Sequence, residues 1–272
     1  MSTRRDCVHY EEYWGLKQAP FDNVPDPKFY YPSTKHEEGF HRLLYGVEGR
    51  KGAVMLTGEV GCGKTLLSRT LIQHLAQDRY DLSLLANPSF EVVDFMREVL
   101  YQLGINLNGS KLDSIHAIND RLVENLRKGK DTVLVIDEAQ NITDVHIFEE
   151  LRLLLNFQLN DRFLLTLVLL GQPELRSKID ALKQLSQRIG IRYHLMPFDL
   201  SEVEGYVEFR TRAAGATRPL FTKEAIEVIH QASGGIPRKI NTLCDLALLI
   251  GFMERCEQVD NEVVDKAFVE SQ

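Results

Sequence analysis

Cysteine is scarce and scattered in this sequence. Cys7, Cys62, Cys244 and Cys256 form no C-x-x-C pair with one another. That argues against a disulfide framework or a zinc site and fits a reducing compartment, so a cytoplasmic location is expected. Long apolar runs are also missing: the longest, near Phe163–Leu170, falls far short of the roughly 20 residues that span a bilayer. The N-terminus is charged and lacks an apolar core, so no secretory leader is expected. There is no basic excess. Lys and Arg number 32 against 39 Asp and Glu, a formal charge of −7, which disfavours indiscriminate coating of nucleic acid. Internal repeats and low-complexity tracts are not found. What is present is 44% hydrophobic and 26% charged residues, enough for a proper core. The length favours one large domain, or a main domain with a small companion.

The most informative stretch runs Ala53-Val-Met-Leu-Thr-Gly-Glu-Val-Gly-Cys-Gly-Lys-Thr65. From Gly58 it fits G-x-x-x-x-G-K-[ST], a phosphate-binding loop. A short apolar strand delivers the chain to the loop. Gly58, Gly61 and Gly63 carry no Cβ, so the backbone is free to take positive φ and turn its N–H groups toward an anion. Glu59, Val60 and Cys62 fill the loop, and a helix from Lys64 through Leu66 aims its positive end at the same point. The Lys64 ammonium can reach the outer phosphates, and the Thr65 hydroxyl can ligate Mg²⁺. A glycine-rich turn before a helix is the plainer alternative. The apolar run before it, and Leu66, Leu67, Thr70, Leu71 and His74 at helical spacing after it, favour a nucleotide site.

Alternation of apolar strands with amphipathic helices predicts an α/β fold, a five-stranded parallel sheet flanked by helices. Strands are expected at Ala53–Leu56, Leu82–Ala86, Thr132–Ile136, Phe163–Leu170 and Ile191–Leu195. Among the helices between them are Phe90–Leu103, one opened by Ser110 or Asp113 and ending at Gly129, Thr143–Leu159 and Pro173–Leu185. From about residue 200 only helices are expected. The implied division is an irregular, aromatic-rich N-terminal extension over 1–34, a nucleotide-binding core over 35–198 and a helical lid over 199–272. The rings of the extension, with Pro20, Pro25, Pro27 and Pro32, suit a segment strapped over a core. Leu16–Phe21 closing over an adenine ring is the sharper reading of the same segment.

Val133-Leu-Val-Ile-Asp137-Glu138 is an apolar strand ending in two carboxylates. Ligands of open parallel sheets bind beyond the strands' carboxyl ends. Asp137 is expected to hold Mg²⁺ and Glu138 to polarise an attacking water. Gln172, after the fourth strand, is a candidate for contact with the γ-phosphate or the water, and otherwise a polar turn residue. Arg188, with Arg192 as second choice, is a candidate for reaching a neighbouring subunit's nucleotide, and otherwise a surface arginine. Gly234-Gly235-Ile236-Pro237-Arg238 begins a lid helix with proline in its first turn, and Arg238 is expected to point back toward the phosphates.

Together these residues resemble the AAA+ ATPase superfamily. Tyr13-Trp-Gly-Leu-Lys-Gln-Ala-Pro-Phe21, Asp26-Pro-Lys-Phe-Tyr30, His36-Glu-Glu38, Asp137-Glu-Ala-Gln140, Leu153-Leu-Leu-Asn-Phe157, Gly171-Gln-Pro-Glu-Leu175 and Gln187-Arg188 resemble the ExeA/GspA-type secretion ATPases. The resemblance implies ATP and Mg²⁺ as cofactors, ATP hydrolysis to ADP and phosphate, and a homo-oligomeric ring or arc. It also implies service to an envelope-export, pilus or exopolysaccharide system. Larger members of that family continue into a membrane span and a peptidoglycan-binding domain. These 272 residues contain neither, so any attachment to the inner membrane is expected through a partner. The transposition-helper ATPases of the TniB kind share the core and bind DNA. Arg121, Arg127, Lys128 and Lys130 form the cluster that would serve that alternative, but Asp113, Asp120 and Glu124 balance it, and a solvated helix face is the favoured reading.

Overall fold

The computed structural model describes residues 10–24, 29–107 and 109–271. Cys7, Pro25, Pro27 and the Asp26–Lys28 part of the aromatic motif lie outside the described residues. The chain divides into two compact units. One comprises 34–60 and 64–196. The other comprises 197–272 together with the described residues before 34 and Gly61–Gly63.

The first unit carries a sheet in the order β2-β3-β4-β1-β5, made of β1 (Ala53–Gly58), β2 (Tyr80–Leu85), β3 (Asp131–Ile136), β4 (Leu165–Gly171) and β5 (Ile189–Leu195). Every pairing is parallel. The central strands read as unbroken apolar runs because both faces are covered. On one face Met55, Leu134, Ile136, Leu167 and Leu169 join a core with Phe95, Leu122, Phe148 and Leu151 from the helices α4 (Val92–Gln102), α5 (Lys111–Arg127) and α6 (Val145–Leu154). On the other side α2 (Thr34–Glu48) approaches so closely that a Cβ on Gly46 would lie 2.2 Å from the Val54 side chain. Register places Thr57 of β1 opposite Gly171 of β4, and Leu169 opposite Ile136 of β3. The carboxyl ends of three neighbouring strands are therefore side by side.

Several boundaries differ from the expectation. The fourth strand begins at Leu165, because Phe163 is used in an antiparallel bridge to Gln158. That bridge also ends the preceding helix early, at Leu154. The expected helix Pro173–Leu185 breaks at Leu182, whose φ −103°, ψ 77° is not helical, giving α7 (Pro173–Ala181) and α8 (Lys183–Ser186). Both residues offered for the start of α5 take part in it. Ser110 caps it, and the Asp113 carboxylate accepts from the Ser110 backbone N–H.

The second unit is helical: α9 (Leu200–Ala213), α10 (Lys223–Ser233), α11 (Pro237–Met253) and α12 (Asn261–Glu270). The aromatic N-terminal segment is not wholly irregular, since Tyr10–Trp14 forms a short helix, α1. Tyr10, Trp14, Leu16 and Phe21 are buried in the core of this unit with Val203, Phe221, Ala247 and Leu248. The Trp14 indole N–H donates to the Leu248 carbonyl at 2.9 Å.

Candidate phosphate-binding site

The loop after β1 turns on two left-handed glycines, with one difference from the reading of its glycines. Gly61 and Gly63 have φ of 86° and 97°, the left-handed region that glycine enters at little cost. Gly58 is not in that region. Glycine is required there because β5 crowds it: a Cβ would lie 2.8 Å from the Leu195 carbonyl oxygen. Lys64 opens α3 (Lys64–His74) and is buried, its Nζ donating to the carbonyls of Gly58 (2.8 Å) and Glu59 (2.9 Å). The lysine thus lies along the inside of the loop. Glu59 and Val60 are exposed, Cys62 is fully buried and Leu66 is half-buried. The described cysteines are free thiols.

Thr65 and Asp137 meet. The threonine hydroxyl donates to Asp137 Oδ2 at 2.6 Å, and Asp137 Oδ1 accepts from the Glu138 N–H at 2.9 Å. Burial pushes the Asp137 carboxyl above the ordinary carboxylate range, against the lowering effect of those two hydrogen bonds and of Lys64. Glu138 takes φ 51°, ψ 37°, a left-handed conformation uncommon outside glycine. It leads into a 3₁₀ turn, Ala139–Asn141.

Gln140 is the residue the sequence reading left without a role. Its Nε2 donates to Glu138 Oε2 at 2.5 Å, and its Oε1 accepts from the backbone N–H of Gln172 at 3.0 Å. The turn is pinned from below by Lys178, whose Nζ donates to the carbonyls of Gln140 (2.6 Å) and Ile142 (2.8 Å). Gln172 thus meets the acidic strand end through its backbone. In the sequence Gln140 stood only as the last residue of the Asp137-Glu-Ala-Gln140 motif, with no role attached.

The two candidate arginines are engaged elsewhere in their unit. Arg188 donates to the Leu155 carbonyl (2.8 Å) and to Asn156 Oδ1 (2.7 Å) at the end of α6. Arg192 lies within β5 and binds Asp180 Oδ1 (2.5 Å) and Ser186 Oγ (2.7 Å). In the helical unit, Gly234 ends α10 in a left-handed conformation and Pro237 starts α11, as the motif predicted. The Arg238 N–H donates to the Gly61 carbonyl at 3.2 Å, and the Arg238 side chain is largely exposed. A Cβ on Gly61 would lie 2.7 Å from Arg238 Cβ. In the basic cluster, Arg121 pairs with Asp81 at 3.1 Å, Lys128 with Glu124 at 2.5 Å, and Lys130 donates to the Gln77 carbonyl. Two of the four charges are thus paired within the chain, and Arg127 is exposed.

The donor set fits magnesium. Thr65 and Asp137 offer hard oxygens, and no cluster of three His, Cys, Asp or Glu able to hold a metal occurs among the described residues. One or two protein oxygens are what Mg²⁺ asks of a protein at sites where it also meets phosphate.

Residues 47–179 match the AAA domain family. Over 247 residues the chain is 40% identical to general secretion pathway protein A of Aeromonas hydrophila, a match covering 89% of this chain and 45% of that protein. The chain thus spans less than half the length of that relative. Among solved structures it is similar to the Aeropyrum pernix ORC2 protein in its ADPNP-ADP complexes. There the TM-score is 0.69 and identity 15%, over 93% of this chain and 72% of that one. It is also similar to the RuvB Holliday junction branch migration motor of Thermotoga maritima, with a TM-score of 0.57 and 20% identity over 86% of this chain and 68% of that one. At those identities the likeness is one of fold.

Proposed function

We propose, from the premise that the chain belongs to the AAA+ family in the branch of general secretion pathway protein A, that it binds ATP with Mg²⁺ and hydrolyses it to ADP and phosphate. The observation that carries this is the 2.6 Å bond from Thr65 to Asp137, which ties the first turn of the loop helix to the acidic end of β3. The chemistry magnesium would supply there is neutralisation of negative charge on the phosphates. Thr65 and Asp137 would hold it, and the loop N–H groups between Gly58 and Thr65 would orient the phosphates. Lys64, now donating to loop carbonyls, would turn its ammonium to the triphosphate. Glu138 would accept a hydrogen bond from the attacking water and align it. Gln172 and Arg238 are proposed as further contacts to the phosphates, and Arg188 or Arg192 as a charge supplied to a neighbouring subunit's site.

Similarity to a secretion protein supports the wider setting: a homo-oligomer whose nucleotide cycle serves a cell-envelope export or assembly system, reached through protein partners. No helix among the described residues is long and apolar enough to cross a membrane. The test is calorimetry with Mg²⁺–ATP beside measurement of phosphate release. The parent is expected to bind and turn over, and Lys64→Ala to give no binding heat. Glu138→Gln should bind ATP within a few-fold of the parent but release phosphate about 10²–10⁴ times more slowly, the usual weight of a positioned general base. Parental turnover by Glu138→Gln would show that another group aligns the water.

A further inference from the structure

A carboxylate that aligns water must itself be held. Glu138 sits on a left-handed residue between a strand and a one-turn helix, a conformation uncommon outside glycine. Its side chain accepts from the Gln140 amide. The orientation of that amide is set from both ends. The NH₂ side faces a carboxylate, which only accepts, and the oxygen side faces the Gln172 backbone N–H, which only donates. A flipped amide would lose both bonds. The surroundings are shaped around this side chain. A Cβ on Gly171 would lie 2.8 Å from Gln140 Oε1, so glycine at the end of β4 leaves room for the amide, and Lys178 fixes the Gln140 backbone from the far side.

We propose that Gln140 is a positioning residue for the reaction, its amide gripping the Glu138 carboxylate with one end and the tip of β4, at Gln172, with the other. The inference rests on Glu138 acting on the water, as proposed above. Its consequence is a short mechanical link: a phosphate contact that moved the β4 tip would move Gln140 and, with it, the carboxylate. Glu138 would then be placed according to what occupies the site.

Two variants separate positioning from simple support. Gln140→Ala removes both grips. Gln140→Glu keeps the length and an oxygen for the Gln172 N–H, but turns a second carboxylate toward Glu138 where a donor had been. Both are expected to lower kcat by about 10–100-fold, the size of loss seen when a residue that orients a metal-ligating side chain is removed. Both should keep KM and the calorimetric Kd for Mg²⁺–ATP within about threefold of the parent, and Gln140→Glu should also keep the parental melting temperature within a few degrees. If Gln140→Glu turns over like the parent while Gln140→Ala does not, the residue merely supports the β4 tip and the proposal is wrong. Loss of ATP affinity in step with kcat would overturn it equally. Should the parent and Glu138→Gln turn over alike, the reading of Glu138 fails first. Parental kcat in Gln140→Glu alongside a dead Glu138→Gln removes only the inference about Gln140.

Discussion

Asp137 is a carboxylate kept where its charge costs stability. It is 4% exposed, and burial raises its pKa despite two hydrogen bonds and the nearby Lys64. For a group whose folded pKa lies above its unfolded one, the stabilising contribution is present below the unfolded value, near 4, and is lost as pH rises through the folded value. At neutral pH the ligand-free protein therefore holds this charge at a cost, which a bound cation would remove. Asn in its place carries no charge, and its oxygen can take the Glu138 N–H while its NH₂ donates to the Thr65 hydroxyl, which turns to accept. Asp137→Asn is expected to melt at the same temperature as the parent or higher in EDTA at pH 7.5. It should gain less than the parent does when Mg²⁺ and ATP are added. A lower melting temperature in EDTA would mean that the charge itself, through Lys64, supports the loop. The same trade of stability for chemistry is seen one residue on, where Glu138 accepts a strained backbone.

At the scale of elements, the N-terminal segment is latched to the helical unit by one buried cation. Arg210, 4% exposed on α9, donates to the carbonyls of Pro20 (2.5 Å) and Asp22 (2.9 Å) and to the Tyr206 hydroxyl (3.0 Å). Its guanidinium lies 4.3 Å from the centre of the Phe29 ring. Arg210→Leu would leave the buried Pro20 carbonyl unanswered, so a loss of about 1–3 kcal/mol is expected. The chain's single tryptophan reports on it, because Trp14 is buried in the same core. The urea midpoint followed by Trp14 emission should fall, and an unchanged midpoint would remove Arg210 as the latch. The sequence could not show where this segment docks. Prolines and aromatic rings say that a surface is wanted, but which surface depends on contacts across 190 positions, as between Pro20 and Arg210. The strands were legible for the opposite reason: a run such as Val133–Ile136 is apolar throughout because helices cover both faces, and that is a local pattern. Asp137 and Thr65 were legible as a pair because each follows a recognisable strand. Gln140 was not, because its role depends on the left-handed turn at Glu138, and glutamate carries no propensity that announces one.

At the scale of the whole molecule, the question is whether the proposed nucleotide site also needs a charge from another copy. Within one chain Arg188 spends its guanidinium on the end of α6, and Arg192 is tied to Asp180 and Ser186. Arg188 has the looser tether, one neutral carbonyl and one amide oxygen, whereas Arg192 would have to leave a carboxylate. Arg188 is therefore the better candidate to turn outward on assembly. An arginine supplied across a subunit boundary is worth about 10³–10⁵ in rate where that device operates. Mixing inactive variants tests it without a structure of the assembly. Lys64→Ala keeps Arg188 but has no working nucleotide site, and Arg188→Ala has a working site but no arginine to lend. If the arginine acts in trans, mixed assemblies pair an intact site with an intact arginine. Phosphate release should then rise well above the sum of the two separate preparations and depend more than linearly on total protein. The corresponding mixture with Arg192→Ala should show no such recovery. Additive rates in the Arg188→Ala mixture at every protein concentration would assign Arg188 to the interior bond it makes with Leu155 and Asn156.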